Sequence, residues 1–175
     1  DGPYRLFPDF TPGKSADNPQ GLTVTLHDDV NVGDISKYKA QKVISDTTNI
    51  KTVDGYTITY NMPSELKAQT EFSYNLEIDK NGQPVTDLEN YLGALGHGVI
   101  LRSDNLDFIH THAGETKPGS GAMDHSMMTA SGELKNRGPK INFSTSFPEP
   151  GTYRVFTQFQ HNGKVITSDY AVIVK

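Results

Sequence analysis

Six histidines and four methionines are the soft and borderline donors of this 175-residue chain, which has no cysteine. Without Cys there are no disulfides, no thiolate nucleophiles, no iron–sulfur ligation, no Cys-type structural zinc and no blue copper, whose site needs a thiolate. Metal chemistry therefore falls to imidazole and thioether, and the spacing of the histidines sets what they could do. His97 stands between Gly96 and Gly98, and His110 and His112 alternate in Phe108-Ile109-His110-Thr111-His112. A hairpin with Ser103-Asp104-Asn105-Leu106 as its turn, and Asp104-Asn105 as a two-residue loop, sets Leu101 opposite Phe108, Val99 opposite His110 and His97 opposite His112. All three imidazoles then share one face. Opposed Cβ atoms about 5 Å apart and alternate residues about 6.8 Å apart suit ligands that each reach about 2.0 Å from one ion. The competing role is that of core or rim histidines bonded to carbonyls. A three-residue loop would shift the register and separate them.

Two further features bear on the same chemistry. Met123-Asp124-His125-Ser126-Met127-Met128 puts three thioethers and an imidazole in a polar stretch; thioethers select Cu(I) and imidazole serves both copper states. The same methionines could instead pin the loop to the fold as adaptable apolar anchors. His161 ends the inward row of Tyr153, Val155 and Phe159. It is either a fourth ligand, if the two hairpins meet at one end, or a turn-flanking polar residue. His27, followed by Asp28 and Asp29, reads as a solvated strand edge.

The elements that must position these residues are strands. Leu22–Leu26, Tyr56–Tyr60 and Phe72–Ile78 alternate with period two and read as half-buried strands, with Asn81-Gly82 as a turn after the third. Asn162-Gly163 specifies a two-residue hairpin pairing His161 with Lys164, Phe159 with Ile166, Val155 with Tyr170 and Tyr153 with Val172. Ile141–Phe147 reads as a strand ahead of Pro148, Pro150 and Gly151. Residues 1–20, rich in Pro, Gly and Asp, read as an extended arm without regular structure. Asp28–Lys51 is ambiguous, and residues 113–139 form a long loop. Residues 21–175 are thus expected to make one all-β domain, an immunoglobulin-like or cupredoxin-like Greek-key β-sandwich.

Several strings resemble a family of secreted bacterial β-sandwich domains encoded near copper or heavy-metal efflux functions. They are Tyr91-Leu92-Gly93-Ala94-Leu95-Gly96-His97, Phe108-Ile109-His110-Thr111-His112, and Phe147-Pro148-Glu149-Pro150-Gly151-Thr152-Tyr153 running into Phe156-Thr157-Gln158-Phe159-Gln160-His161. The resemblance covers roughly residues 70–175 and implies His97, His110, His112 and His161 as the shared polar set. This chain departs from the pattern after His112, where family members carry Pro and it has Ala113-Gly114. The Met-His string is similar to short copper-binding stretches of periplasmic copper-resistance proteins.

Together these features predict a periplasmic or extracellular copper-binding protein that stores, buffers or transfers the ion, with zinc as the other candidate metal and a copper efflux or transfer protein as the expected partner. Two alternatives stand beside it: a metal-dependent enzyme, and a metal-free interaction module. Against the first, the chain lacks H-E-x-x-H and G-x-S-x-G, and the H-x-H string is not followed by the usual carboxylate. Asp107 and Glu115 are the nearby acids that could serve as a general base. The net charge of −5, with scattered Lys and Arg, excludes an electrostatic footprint for nucleic acid or anionic lipid. No apolar run reaches the roughly 20 residues of a membrane helix, and Asp1-Gly2-Pro3-Tyr4 does not read as a signal peptide.

Overall fold

A computed structural model describes residues 1–10, 12–14, 24–114 and 137–175. The chain divides into two compact units, Asp1–Gln41 and Lys42–Lys175.

The first unit corrects the expected arm. Strands β1 (Gly2–Leu6), β2 (Asp9–Phe10), β3 (Val24–Thr25) and β4 (Asp28–Val32) form two small antiparallel ribbons, β1 with β4 and β2 with β3. Regular structure therefore begins at Gly2, and the unit boundary falls at residue 41 rather than 20. Neither ribbon buries a face: Tyr4, Leu6, Phe10, Leu26 and Val32 are exposed. With no core to select apolar residues at every second position, β1, β2 and β4 carry no clear alternation; the alternating Leu22–Leu26 contains β3, but only as Val24–Thr25 among the described residues, and Leu26 is exposed rather than half-buried. The β1–β4 ladder is reinforced by Arg5, whose Nε and Nη2 donate to the two oxygens of Asp29 at 2.6 and 2.7 Å.

The second unit is an all-β antiparallel sandwich. Strands β5 (Ile50–Val53), β6 (Tyr56–Asn61), β7 (Phe72–Lys80) and β8 (Gln83–Pro84) come first. They are followed by β9 (His97–Arg102), β10 (Phe108–His112), β11 (Lys140–Thr145), β12 (Gly151–His161) and β13 (Lys164–Val174). One sheet has the order β11-β7-β6-β5, with β8 on β7; the other has the order β10-β9-β12-β13. The chain changes sheet after β8, after β10 and after β11, so β9 and β12 pair although two strands intervene. This is a Greek-key connection, and a tyrosine closes the corner before β12: the buried Tyr153 hydroxyl donates to the Glu149 carbonyl four residues upstream at 2.8 Å.

Local turn chemistry sets the registers. Asp54-Gly55, Asn81-Gly82 and Asn162-Gly163 all have positive φ at both residues, the type I′ geometry whose twist matches a hairpin. The β12–β13 pairing is the one the sequence specifies, from His161↔Lys164 to Gly151↔Val174. Ile58, Leu76 and Ile78 from one sheet meet Ile100, Val155, Phe159 and Ile166 from the other in one core, all fully buried. Each contributes about 1.5–3 kcal/mol relative to exposure. The edge of β13 is capped by Asp46, whose N–H donates to the Ala171 carbonyl at 2.9 Å and whose Oδ2 accepts from the Ala171 N–H at 2.8 Å. Such a cap blunts the edge against pairing with other chains. Among the described residues no helix is long and apolar enough to cross a membrane.

Candidate metal centre

Strands β9 and β10 pair as the sequence reading expects: Phe108↔Leu101, His110↔Val99 and His112↔His97. Their connection is longer than the expected two residues. Arg102 and Asp107 close a four-residue loop in which the Arg102 N–H donates to Asp107 O (3.1 Å), the Leu106 N–H donates to Arg102 O (3.0 Å), and Leu106 takes a left-handed φ of 61°. Two- and four-residue loops keep the same residues opposite each other, so the register survives the change.

Period two decides which face the histidines occupy. Ile100 points into the core, opposite Val155 of β12, so His97, Val99 and Leu101 point outward, as do His110 and His112 on β10. The cluster therefore lies on the outer face of the β10-β9-β12-β13 sheet. The flanking glycines let β9 run close to its neighbours. A Cβ on Gly96 would lie 2.9 Å from Ile141 Cδ1 and 3.1 Å from the Gln158 carbonyl; one on Gly98 would lie 2.8 Å from Thr111 Cγ2.

One nitrogen from each of His97, His110 and His112 lies within 4.8 Å of the other two. His97 Nδ1 and His110 Nε2 are 3.4 Å apart. Two nitrogens bound to one tetrahedral ion at 2.0–2.1 Å stand about 3.3 Å apart, so that pair already has ligand spacing, and His112 needs a movement of about 1.5 Å or less. The His112 ring lies 4.6 Å from that of His97 and 4.4 Å from that of His110. His97 is buried, and the other two are half-buried.

The second nitrogen of His97 fixes its chemistry. Nε2 lies 2.8 Å from the Tyr91 carbonyl oxygen. A carbonyl only accepts, so Nε2 carries the proton and the neutral ring turns its Nδ1 lone pair toward His110. A ligating histidine is commonly oriented in this way, by a hydrogen bond from its far N–H. Burial pushes the His97 pKa below the ordinary histidine value; the Tyr91 carbonyl opposes this, and the His112 and His110 rings add to the lowering. A neutral imidazole is the form that binds a metal.

Tyr91 owes its position to a tight turn that sequence reasoning used only as part of a string. Tyr91 and Ala94 exchange backbone hydrogen bonds (2.8 and 3.2 Å), and the two residues between them, Leu92 (φ 50°) and Gly93 (φ 91°), are both left-handed. Asn90 Oδ1 accepts from the Gly93 N–H at 2.9 Å. The signal was Asn90 followed by Leu92-Gly93 immediately ahead of His97. Leu92 lacks the side-chain oxygen that usually marks such a position.

His161 does not join the cluster. It lies on the inward row of β12, whereas Gln158, the residue opposite His97, is on the outward row. Both its nitrogens have partners: Nδ1 lies 2.8 Å from the Tyr56 hydroxyl and Nε2 lies 3.0 Å from Asp87 Oδ1. Lys80 Nζ donates to the same Tyr56 oxygen at 3.1 Å, extending the chain to four side chains. Tyr56, Lys80 and Asp87 were not candidates in the sequence, because their neighbourhood depends on the packing of two sheets. His27 is exposed in the first unit. Asp107 closes the hairpin loop at the end of β10 away from His112. Met123, His125, Met127, Met128 and Glu115 lie outside the described residues.

Comparison with curated proteins and with solved structures returns no match. A family model does match, over residues 51–175, from the second residue of β5 to the end of the chain and including His97, His110, His112 and His161. The chain accordingly belongs to a family described as a domain of unknown function, DUF8832.

Proposed function

We propose that this protein binds one transition-metal ion, copper, on the outer face of its second sheet through His97, His110 and His112, and that it stores, buffers or passes that ion. The observation that carries the reading is the convergence of three ring nitrogens within 4.8 Å, with His97 oriented by the Tyr91 carbonyl so that its lone pair faces the cluster. An all-nitrogen imidazole set suits Cu(II) and Zn(II). Copper is preferred because the same chain carries Met123, Met127 and Met128 with His125, thioether donors that serve Cu(I). The resemblance to secreted domains associated with copper handling points the same way. A cysteine-free chain suits an exported setting, periplasmic or extracellular, and a partner that delivers or removes copper follows from a carrier role.

The test is titration of the metal-free protein with Cu(II), with Cu(I) under reductant and with Zn(II), stoichiometry being read by native mass spectrometry. A variant combining His97→Ala, His110→Ala and His112→Ala is run in parallel. One-to-one copper binding that disappears in the folded variant supports the proposal. Preference for zinc moves the site to another metal, and binding that survives the triple substitution rejects the cluster.

A further inference from the structure

The Tyr91 carbonyl can hold the His97 ring only if the segment that carries it is itself held. This segment, residues 85–96, crosses from the first sheet to the second, and its contacts concentrate just ahead of Tyr91. Leu88 is fully buried and exchanges hydrogen bonds with Arg137: its N–H donates to Arg137 O at 2.9 Å, and Arg137 Nε donates to its carbonyl at 2.6 Å. Glu89 is fastened to the β12–β13 turn by four hydrogen bonds. Its N–H donates to the Gln160 carbonyl (2.8 Å), its Oε2 accepts from Gln160 Nε2 (2.6 Å), and both carboxylate oxygens accept from the Gly163 N–H (3.0 Å each). Asp87, two residues earlier, accepts from His161 Nε2. Only Asn90 separates Glu89 from Tyr91, so a shift of Glu89 has almost no chain in which to be absorbed before it reaches the carbonyl.

We infer that Glu89 is a positioning residue for the metal centre: its carboxylate ties the crossing segment to the Asn162-Gly163 turn and thereby keeps His97 in the tautomer that offers Nδ1 to the ion. This rests on the metal-binding reading for its consequence and on the metal-free geometry for its cause. Glu89 touches no ligand; it acts through the Tyr91 carbonyl, and His161 supports it through Asp87 instead of ligating the ion. A partner beyond the ligand sets ring orientation and ligand basicity, and losing such a partner weakens metal affinity about 10–100-fold.

The variants are Glu89→Ala, which removes every side-chain contact, and Glu89→Gln, which keeps one oxygen to accept from Gly163. Long-range proton–nitrogen correlation on the metal-free proteins reads the His97 tautomer, and competition titration reads Cu(II) affinity. The expected result is a single Nε2–H tautomer in the wild type and in Glu89→Gln, a mixture of tautomers in Glu89→Ala, and Cu(II) binding about tenfold weaker in Glu89→Ala alone. A His97 tautomer that is unchanged in Glu89→Ala overturns the inference. So does a mixed tautomer that leaves the affinity intact. If the wild-type protein takes up no Cu(II), the affinity half falls together with the metal-binding reading, while the tautomer comparison still judges the tie.

Discussion

Substituting Gly96 by Ala tests the packing that places His97. A methyl group built there lies 2.9 Å from Ile141 Cδ1, 3.1 Å from Phe143 Cζ and 3.1 Å from the Gln158 carbonyl oxygen. The first two are tips of buried side chains with little room to turn. The third is backbone of β12, held in register by pairing with both β9 and β13. Ordinary contact therefore requires β9 to withdraw by a few tenths of an ångström. Overpacking of this kind costs about 1–3 kcal/mol. For a unit the size of Lys42–Lys175 that corresponds to a Tm lower by about 4–11 °C. Thermal unfolding followed by circular dichroism measures it, with Gly13→Ala, in the first unit and with nothing within 4 Å of its methyl, as the control for an unobstructed glycine-to-alanine change. Cu(II) affinity should fall as well, because His97 is the next residue along the displaced strand. A Gly96→Ala protein melting within about 1 °C of wild type would refute the close-approach argument.

Three other outcomes are expected. Tyr153→Phe removes the hydroxyl that donates to the Glu149 carbonyl and should lower stability by about 1–1.5 kcal/mol in denaturant titration; an unchanged midpoint would mean that the corner hydrogen bond is idle. Burial raises the Tyr60 pKa from 10.0 to about 12. The folded state thus holds its proton while the unfolded chain releases it, so this contribution is complete below pH 10 and is lost as pH rises toward 12. Burial raises Tyr74, Tyr153 and Tyr170 as well, so phenolate absorbance should show a late-titrating group that is smaller by one tyrosine in Tyr60→Phe, with alkaline unfolding moved to higher pH. Copper at about a hundredfold excess over Kd should stabilise the protein by about 2.7 kcal/mol, a gain reversed by a chelator and absent from His110→Ala; an equal gain in that variant would place the binding elsewhere.

The two hairpins were legible because each register is set within a few residues. Asn162-Gly163 fixes one outright, and the other depends only on an even-numbered loop, so mistaking four residues for two left His97, His110 and His112 on a shared face. What could not be read was the side of the sheet they occupy. That depends on β9 pairing with β12, a contact between residues that run from Tyr153↔Arg102 to Gln158↔His97, about fifty to sixty positions apart, with no local turn to announce it. Lacking it, the sequence could not separate the outward His97 from the inward His161. Most of the first unit escaped for the opposite reason: without a buried face, strands such as Gly2–Leu6 leave no periodic trace, and only β3 fell within an alternating run, Leu22–Leu26. Strand β5 is a different case. Asp54-Gly55 carried a turn signal as plain as Asn81-Gly82, but the stretch before it was grouped with an ambiguous connection.

The outward placement of the three imidazoles also bears on how such a domain can change over time. Ile100, Val155 and the rest of the core sit on the other side of the same strands, so replacing His110 or His112 leaves no void among them. The fold asks of those two positions only that a strand residue stand there, which leaves the ligand set free to be swapped or lost in descendants that keep the same sandwich. Gly96 and Gly98 have less freedom, because a methyl on Gly96 meets the Gln158 carbonyl of β12 at 3.1 Å and one on Gly98 meets Cγ2 of the fully buried Thr111 at 2.8 Å. Related chains should therefore hold the glycines more firmly than the histidines wherever the chemistry has drifted.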